Sequence, residues 1–136
     1  MKGQYLPLET VLSIGLGLIL AIGSVTAFNT LRKGILDTGE ENQVELIQSK
    51  VSDAIYSLST LNKQSKGQIK LTLPESISGT SYTVALTDGT LKINIQNKLY
   101  QIEYNQLKHN YSFRGTVQGG QVKIVKTQNN LIITSQ

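Results

Sequence analysis

The sequence has no cysteine and no tryptophan, and it has only two prolines, two phenylalanines and one histidine among its 136 residues. Without cysteine, a disulfide framework, a thiolate zinc site and a thiol nucleophile are excluded. The single histidine, His109, has no second ligand near it in sequence, which argues against a metal site. No Ser/His/Asp order, paired carboxylates or phosphate-binding loop is present. We therefore expect no enzyme, no metal and no cofactor.

Charged residues are also scarce. They make up 16% of the chain, below the roughly 25% that is typical of soluble domains. The net charge of +4 is distributed unevenly: Asp37 to Leu61 contains five acids and one base, whereas Asn62 to Gln136 contains nine bases and three acids. Lysines spread singly over the second half are typical of a solvated surface, and we expect no nucleic-acid partner.

The longest apolar stretch lies near the N-terminus. Thr10 to Leu31 contains no charged residue, and its apolar core is Val11 to Phe28. A helix over these residues is about 33 Å long, which is enough to cross the hydrocarbon core of a bilayer. A secretory signal cleaved after Val25-Thr26-Ala27 is one alternative. Glu9 and Pro7 in the segment before it favour a retained anchor.

Small residues recur at helical spacing along this segment. Gly17, Ala21 and Ser24 form one stripe, and Gly23 and Ala27 form another. Such stripes allow a neighbouring helix to approach closely in lipid, which predicts helix–helix packing. The alternative is that glycine is simply common in membrane helices.

A second helical segment follows. We expect the helix to loosen at Gly34 and Gly39 and to restart at Thr38, where Glu41 three residues later completes a capping box. Apolar residues then recur at three- and four-residue steps to about Asn62, which predicts an amphipathic stem. Its apolar stripe covers either the sheet of the head or a neighbouring subunit. The stripe consists of Val44, Ile47, Val51, Ala54, Ile55, Leu58 and Leu61.

From Gly67 onward the apolar residues recur at every second position, which is typical of strands with one buried face. Asp88-Gly89 predicts a two-residue hairpin, and a further turn is expected near Asn97. About seven short strands are predicted, forming an antiparallel sheet or a small sandwich. They centre on Ile69, Leu71 and Leu73; Tyr82, Val84 and Leu86; Leu91, Ile93 and Ile95; Tyr100, Ile102 and Tyr104; Phe113 to Val117; Val122 to Val125; and Leu131 to Ile133.

The first residues carry a family resemblance. Met1-Lys2-Gly3-Gln4 stands directly before the long apolar segment and resembles the short leader of archaeal type IV pilins. In that family a prepilin peptidase cleaves after a basic residue and a glycine on the cytoplasmic side. The resemblance implies cleavage between Gly3 and Gln4, so that Gln4 becomes the first residue of the mature chain.

One euryarchaeal form of this motif begins with Gln and has Ser at the third, Glu at the fifth and Leu at the ninth position. Gln4 and Leu12 match that form, whereas Leu6 replaces the Ser and Glu9 falls one place late. In family terms, Glu9 is expected to pair with the new α-amino group of a neighbouring subunit. The alternative is that Glu9 lies at the headgroup interface of the membrane.

The head carries a second, weaker resemblance. Ile69 to Gly79, followed by Tyr82-Thr83-Val84, is similar to a stretch that is common in archaeal pilin-like proteins after their helix. The resemblance implies an α+β chain in four parts. These are a leader (1–3), an apolar membrane or filament-core helix (4–36), an amphipathic stem helix (37–66) and a β-rich extracellular head (67–136).

The function that this resemblance implies is structural. A pilin or minor pilin packs its N-terminal helix into a helical homo-oligomeric filament on the cell surface, where the filament supports adhesion. Its partners are the prepilin peptidase, the pilus assembly machinery and, before assembly, the membrane. The alternative is a membrane-anchored accessory or stator protein of the archaellum or cell envelope.

A separate motif marks a candidate modification site. Asn110-Tyr111-Ser112 is the only N-x-[ST] sequon in the chain, and such sequons are acceptors for N-glycosylation in surface loops of exported proteins. The alternative is an ordinary loop.

Overall fold

A computed structural model describes the chain from Tyr5 to Gln136, and its side chains from Leu8 onward. One long helix is followed by eight strands, which confirms the predicted α+β class. The elements are α1 (Tyr5–Ser59), β1 (Gly67–Leu73), β2 (Tyr82–Thr87), β3 (Thr90–Ile95), β4 (Lys98–Glu103), β5 (Ser112–Arg114), β6 (Thr116–Gln118), β7 (Gly120–Thr127) and β8 (Asn130–Ser135).

The predicted break at Gly34 and Gly39 is wrong. Helix α1 runs through both glycines, because an isolated glycine costs a helix only about 1 kcal/mol relative to alanine. Thr38 does not cap a new helix, since its Oγ1 donates to the carbonyl oxygen of Gly34, 2.9 Å away, one turn earlier in α1. The helix ends at Ser59, so that residues 60–66 of the predicted stem are not helical.

The described chain divides into two compact units, with the boundary after Thr38. The first unit contains only the first part of α1. The second unit, which we call the head, contains the rest of α1 and all eight strands.

The eight strands form two four-stranded sheets. The first sheet has the order β1-β7-β8-β5 and the second has the order β4-β3-β2-β6. The single strand predicted from Phe113 to Val117 is in fact two strands in different sheets, because Gly115 bends the chain with a φ of 112°. Strand β5 pairs with β8 in parallel, which corrects the expectation of a purely antiparallel sheet.

The predicted hairpin at Asp88-Gly89 is confirmed. Both residues have positive φ angles, 50° and 75°, as expected for the turn that matches the twist of a two-residue hairpin. Ser78 and Gly79 repeat this pattern with φ angles of 49° and 77°. The turn expected near Asn97 is also present, with a positive φ at Gln96.

One hydrophobic core fills the head. Six of its buried residues come from the apolar stripe of α1, and the others come from the strands and their loops. The stripe therefore packs against the sheets of its own chain, as one of the two sequence interpretations predicted. Polar contacts tie α1 to both outer strands: Lys50 Nζ donates to Thr72 O of β1 at 3.3 Å, and Tyr100 of β4 donates to Glu40 at 3.0 Å.

Candidate membrane and assembly helix

The first part of α1 has no covering layer within the described chain. Its large apolar side chains between Leu8 and Leu36 are 51–72% exposed, and none of them belongs to the core. This is the one helix of the described chain that is long and apolar enough to cross a membrane, by length and composition. These exposed side chains are Leu8, Val11, Leu12, Ile14, Leu16, Leu18, Ile19, Leu20, Ile22, Val25, Phe28, Leu31, Ile35 and Leu36.

Three hydroxyl groups in this segment are satisfied by the helix itself. Ser24 donates to the carbonyl oxygen of Leu20 at 2.8 Å, Thr26 to that of Ile22 at 2.9 Å and Thr30 to that of Thr26 at 3.0 Å. In an apolar medium an unpaired hydroxyl costs free energy. These bonds let the helix enter such a medium without that cost.

The two predicted stripes of small residues face open space in the single chain. A methyl group built on Gly17 or Gly23 would have no other atom within 4 Å, apart from the helix's own backbone. The hydroxyl of Ser24 folds back on the helix, which removes a polar projection from the stripe that it shares with Gly17 and Ala21. The same helix carries the second stripe, Gly23 with Ala27.

The predicted processing site cannot be placed in the structure. Lys2, Gly3 and Gln4 lie outside the described residues, and so does the α-amino group of Gln4 that is the expected partner of Glu9 from a neighbouring subunit. Glu9 itself is described, and its side chain is exposed in the first turns of α1.

Within the head, Glu40 forms a polar cluster that sequence reasoning missed. Its Oε1 accepts from Lys98 Nζ at 3.1 Å and from the hydroxyl of Tyr100 at 3.0 Å. The hydrogen bond from Lys98, followed by that from Tyr100, lowers the pKa of the Glu40 carboxyl below its usual 4.5. Burial and the bond to Glu40 raise the pKa of the Tyr100 phenol. No sequence signal links residues that lie 58 positions apart.

A buried lysine is the second feature that sequence reasoning missed. Lys126 on β7 is 0% exposed, and its Nζ donates to the carbonyl oxygens of Asn62 at 2.9 Å and Ser65 at 2.8 Å. The same Nζ lies 5.9 Å from the ring centroid of Tyr111. Because Asn62 and Ser65 belong to the connection between α1 and β1, the ammonium group holds that connection on the sheet.

The sequon residue Asn110 is exposed in the turn between β4 and β5. It borders an open cleft of about 550 Å³ whose lining includes Asp88, Lys108 and His109. Among the residues that the structure describes, no group of three or more His, Cys, Asp or Glu side chains could hold a metal ion.

Comparison with known proteins gives no family. No family model matches the chain, and neither a curated protein nor a solved structure is significantly similar to it.

Proposed function

We propose that this chain is a structural subunit of a type IV pilin-like surface filament, in which the first part of α1 packs into the filament core and the head lies outside. The observation that carries the proposal is the contrast within one helix. From Val44 onward α1 buries an apolar stripe in the head, whereas its large apolar residues from Leu8 to Leu36 are all exposed. An uncovered apolar surface of this extent marks a membrane or protein contact.

Both environments suit this segment at different stages. Before assembly, a bilayer covers the apolar side chains and the internally bonded hydroxyls of Ser24, Thr26 and Thr30. In a filament, neighbouring copies of the same helix replace the lipid. Burial of a Leu or Ile from water stabilises a protein by about 1.5–3 kcal/mol. Transfer of the helix from lipid to a helix bundle does not remove apolar surface from water, so its gain comes from closer packing between helices. Close approach at Gly17 and Gly23 therefore determines whether the bundle forms.

The sequence of the leader supports the same function. The leader Met1-Lys2-Gly3 resembles a prepilin leader, so we expect the mature chain to begin at Gln4. Mass spectrometry of the protein from cells tests this. A chain that begins at Phe28 would instead indicate a secretory signal, and a chain that begins at Met1 would indicate a plain signal anchor.

Assembly is tested by substitution in the small-residue stripes. Gly17→Leu or Ala21→Leu is expected to abolish or remodel filaments, because the added side chain blocks helix approach. Ile19→Leu, which keeps the volume and apolar character of an exposed position on the same helix, is the control. The measurement is the amount of the chain in sheared surface filaments relative to the membrane fraction. A wild-type chain that stays entirely in the membrane fraction would favour the accessory or stator protein.

A further inference from the structure

The outer face of the first sheet carries basic residues and no acidic ones. The strands β1, β7, β8 and β5 contain no Asp or Glu. Lys70 on β1 lies directly opposite Lys123 on β7, and Arg114 on β5 alternates with the buried Phe113, so that it also faces outward. We call Lys70, Lys123 and Arg114 the basic face.

This arrangement is unfavourable in an isolated chain. Like charges directly opposite each other on neighbouring strands destabilise a sheet. Within the described part of the chain, none of these three residues forms an ion pair of the kind that joins Glu40 to Lys98. An anionic partner would relieve the repulsion.

The chain itself presents the opposite charge on α1. Glu41 and Glu45 are both exposed and lie one helical turn apart, a spacing at which like charges repel. Neither takes part in the ion pair of Glu40. We call Glu41 and Glu45 the acidic face.

No ion pair joins the two faces within the described part of one copy. The residues of the first sheet that pack toward α1 are the buried ones, such as Val122, Ile124 and Lys126. Lys123 and Arg114 lie on the other side of that sheet, because side chains alternate along a strand. Lys70, on the edge strand, lines an open cleft beside α1 with Lys50 and Asp53. Neither Glu41 nor Glu45 lines that cleft, so we look for their partner on another molecule.

We propose that the basic face of one copy binds the acidic face of α1 in a second copy and so fixes the orientation of neighbouring heads. This inference rests on the proposed function, because the filament brings the heads of several copies together. Charge complementarity within the same sequence favours a second copy over an anionic polymer as the partner. The outer face of the second sheet is not purely basic, since Lys92 of β3 lies there with Glu103 of β4.

The cysteine-free chain allows a direct test by disulfide trapping in full-length protein. Ser49→Cys places a thiol one turn after Glu45 on α1, and Gln121→Cys places one beside Lys123 on β7; both positions are exposed. Two single-cysteine chains with tags of different length are expressed together, and assembled material is oxidised. The matched control replaces Gln121→Cys by Asn94→Cys, an exposed position on the outer face of the second sheet.

We expect the Ser49–Gln121 heterodimer to form and the Ser49–Asn94 heterodimer to stay at background. Lys70→Glu with Lys123→Glu on the Gln121→Cys chain should lower the trapped fraction about tenfold, which corresponds to about 1.4 kcal/mol, within the range for two exposed ion pairs. Lys92→Glu with Lys63→Glu, two positions outside the first sheet, is the control of equal charge change. Glu41→Lys with Glu45→Lys on the Ser49→Cys chain should restore trapping with the Gln121→Cys chain that carries Lys70→Glu and Lys123→Glu.

The outcomes separate this inference from the proposed function. The proposed contact would be overturned if wild-type filaments form but disulfide trapping is equal at Gln121 and Asn94, or if the doubly reversed pair does not restore trapping. The proposed filament function would still stand in either case. Absence of wild-type filaments would overturn both. Binding of an anionic polymer to the basic face, without the trapped heterodimer, would also count against the contact between copies.

Discussion

Replacement of Lys126 by methionine tests the buried cation. Methionine keeps much of the length and apolar stem of the side chain but removes the donors to Asn62 O and Ser65 O, which lie 2.9 and 2.8 Å from Nζ. Each hydrogen bond from a charged donor contributes about 1.5–3 kcal/mol, less where water replaces the lost donor, and the contact with the Tyr111 ring contributes about 0.5–2 kcal/mol. The ammonium group no longer has to be desolvated in the variant, which offsets part of this loss. We expect a net destabilisation of about 2–3 kcal/mol.

The assay is thermal and urea unfolding followed by circular dichroism. A loss of this size lowers the melting temperature of a head of this size by about 10–20 °C. Lys123→Met is the matched control, because Lys123 lies on the same strand with its side chain on the outer face, and we expect a change within about 0.5 kcal/mol. Equal melting temperatures for Lys126→Met and Lys123→Met would show that the two carbonyl bonds contribute nothing to stability.

Three further predictions concern the head. Glu40→Gln should lower the free energy of unfolding by less than about 1 kcal/mol at neutral pH. Because the pKa of Glu40 is lowered from 4.5, its contribution to stability is present above about pH 4.5 and is lost as the pH falls through the folded-state pKa. The stabilities of wild type and variant should therefore converge in acid unfolding experiments. Gly115→Ala should destabilise the head far more than Gly120→Ala. Both glycines have φ above 100°, but only at Gly115 would the added methyl group lie 2.1 Å from Ile133 O. Similar melting temperatures for the two variants would contradict this prediction. Burial raises the pKa of Tyr82 from 10.0 to about 12, so its contribution to stability is complete below pH 10 and declines as the pH rises toward 12. Ultraviolet titration should show a phenol that ionises near pH 12 in the wild type and is absent from Tyr82→Phe.

Local periodicity was sufficient for most elements of the head. The stripe that begins at Val44 was predicted as one face of a helix, and the alternation of Leu91, Ile93 and Ile95 was predicted as a strand. Both signals depend on residues within about two turns or one strand, where burial of one face dictates the spacing. The hairpin at Asp88-Gly89 has an equally local cause, because few residues other than glycine adopt the positive φ that this turn requires.

The parts that sequence reasoning missed depend on contacts between distant residues. The division of the strands into two sheets depends on Gly115. Only glycine fits at this position, because a Cβ atom there would lie 2.1 Å from Ile133 O. Lys126 reads as a polar outward residue by type, yet its position in the alternation of β7 makes it buried. Its partners, the carbonyls of Asn62 and Ser65, are backbone groups and leave no trace in the side-chain pattern.

The candidate site was easier to predict than its partners. An uncharged run from Thr10 to Leu31 is visible in sequence because a bilayer or a helix bundle imposes the same composition on every side of a helix. That shared requirement is also why composition does not distinguish a filament core from a membrane anchor. Stripes such as Gly17 with Ala21 add the information that composition lacks, since close approach matters only where another helix is present.

Under the proposed function, stability and assembly depend on different parts of this chain. Every residue of the core cluster lies between Val44 and Ile133, and a methyl group added at Gly17 would contact nothing in the same molecule. We therefore expect a substitution at Gly17 to leave the free energy of unfolding of the head unchanged. Lys126→Met, in contrast, lowers that free energy and does not alter the apolar part of α1. Loss of filaments at an unchanged melting temperature can then be assigned to contacts between helices. Loss of both together, after a change at Gly17, would mean that the head depends on assembly for its stability.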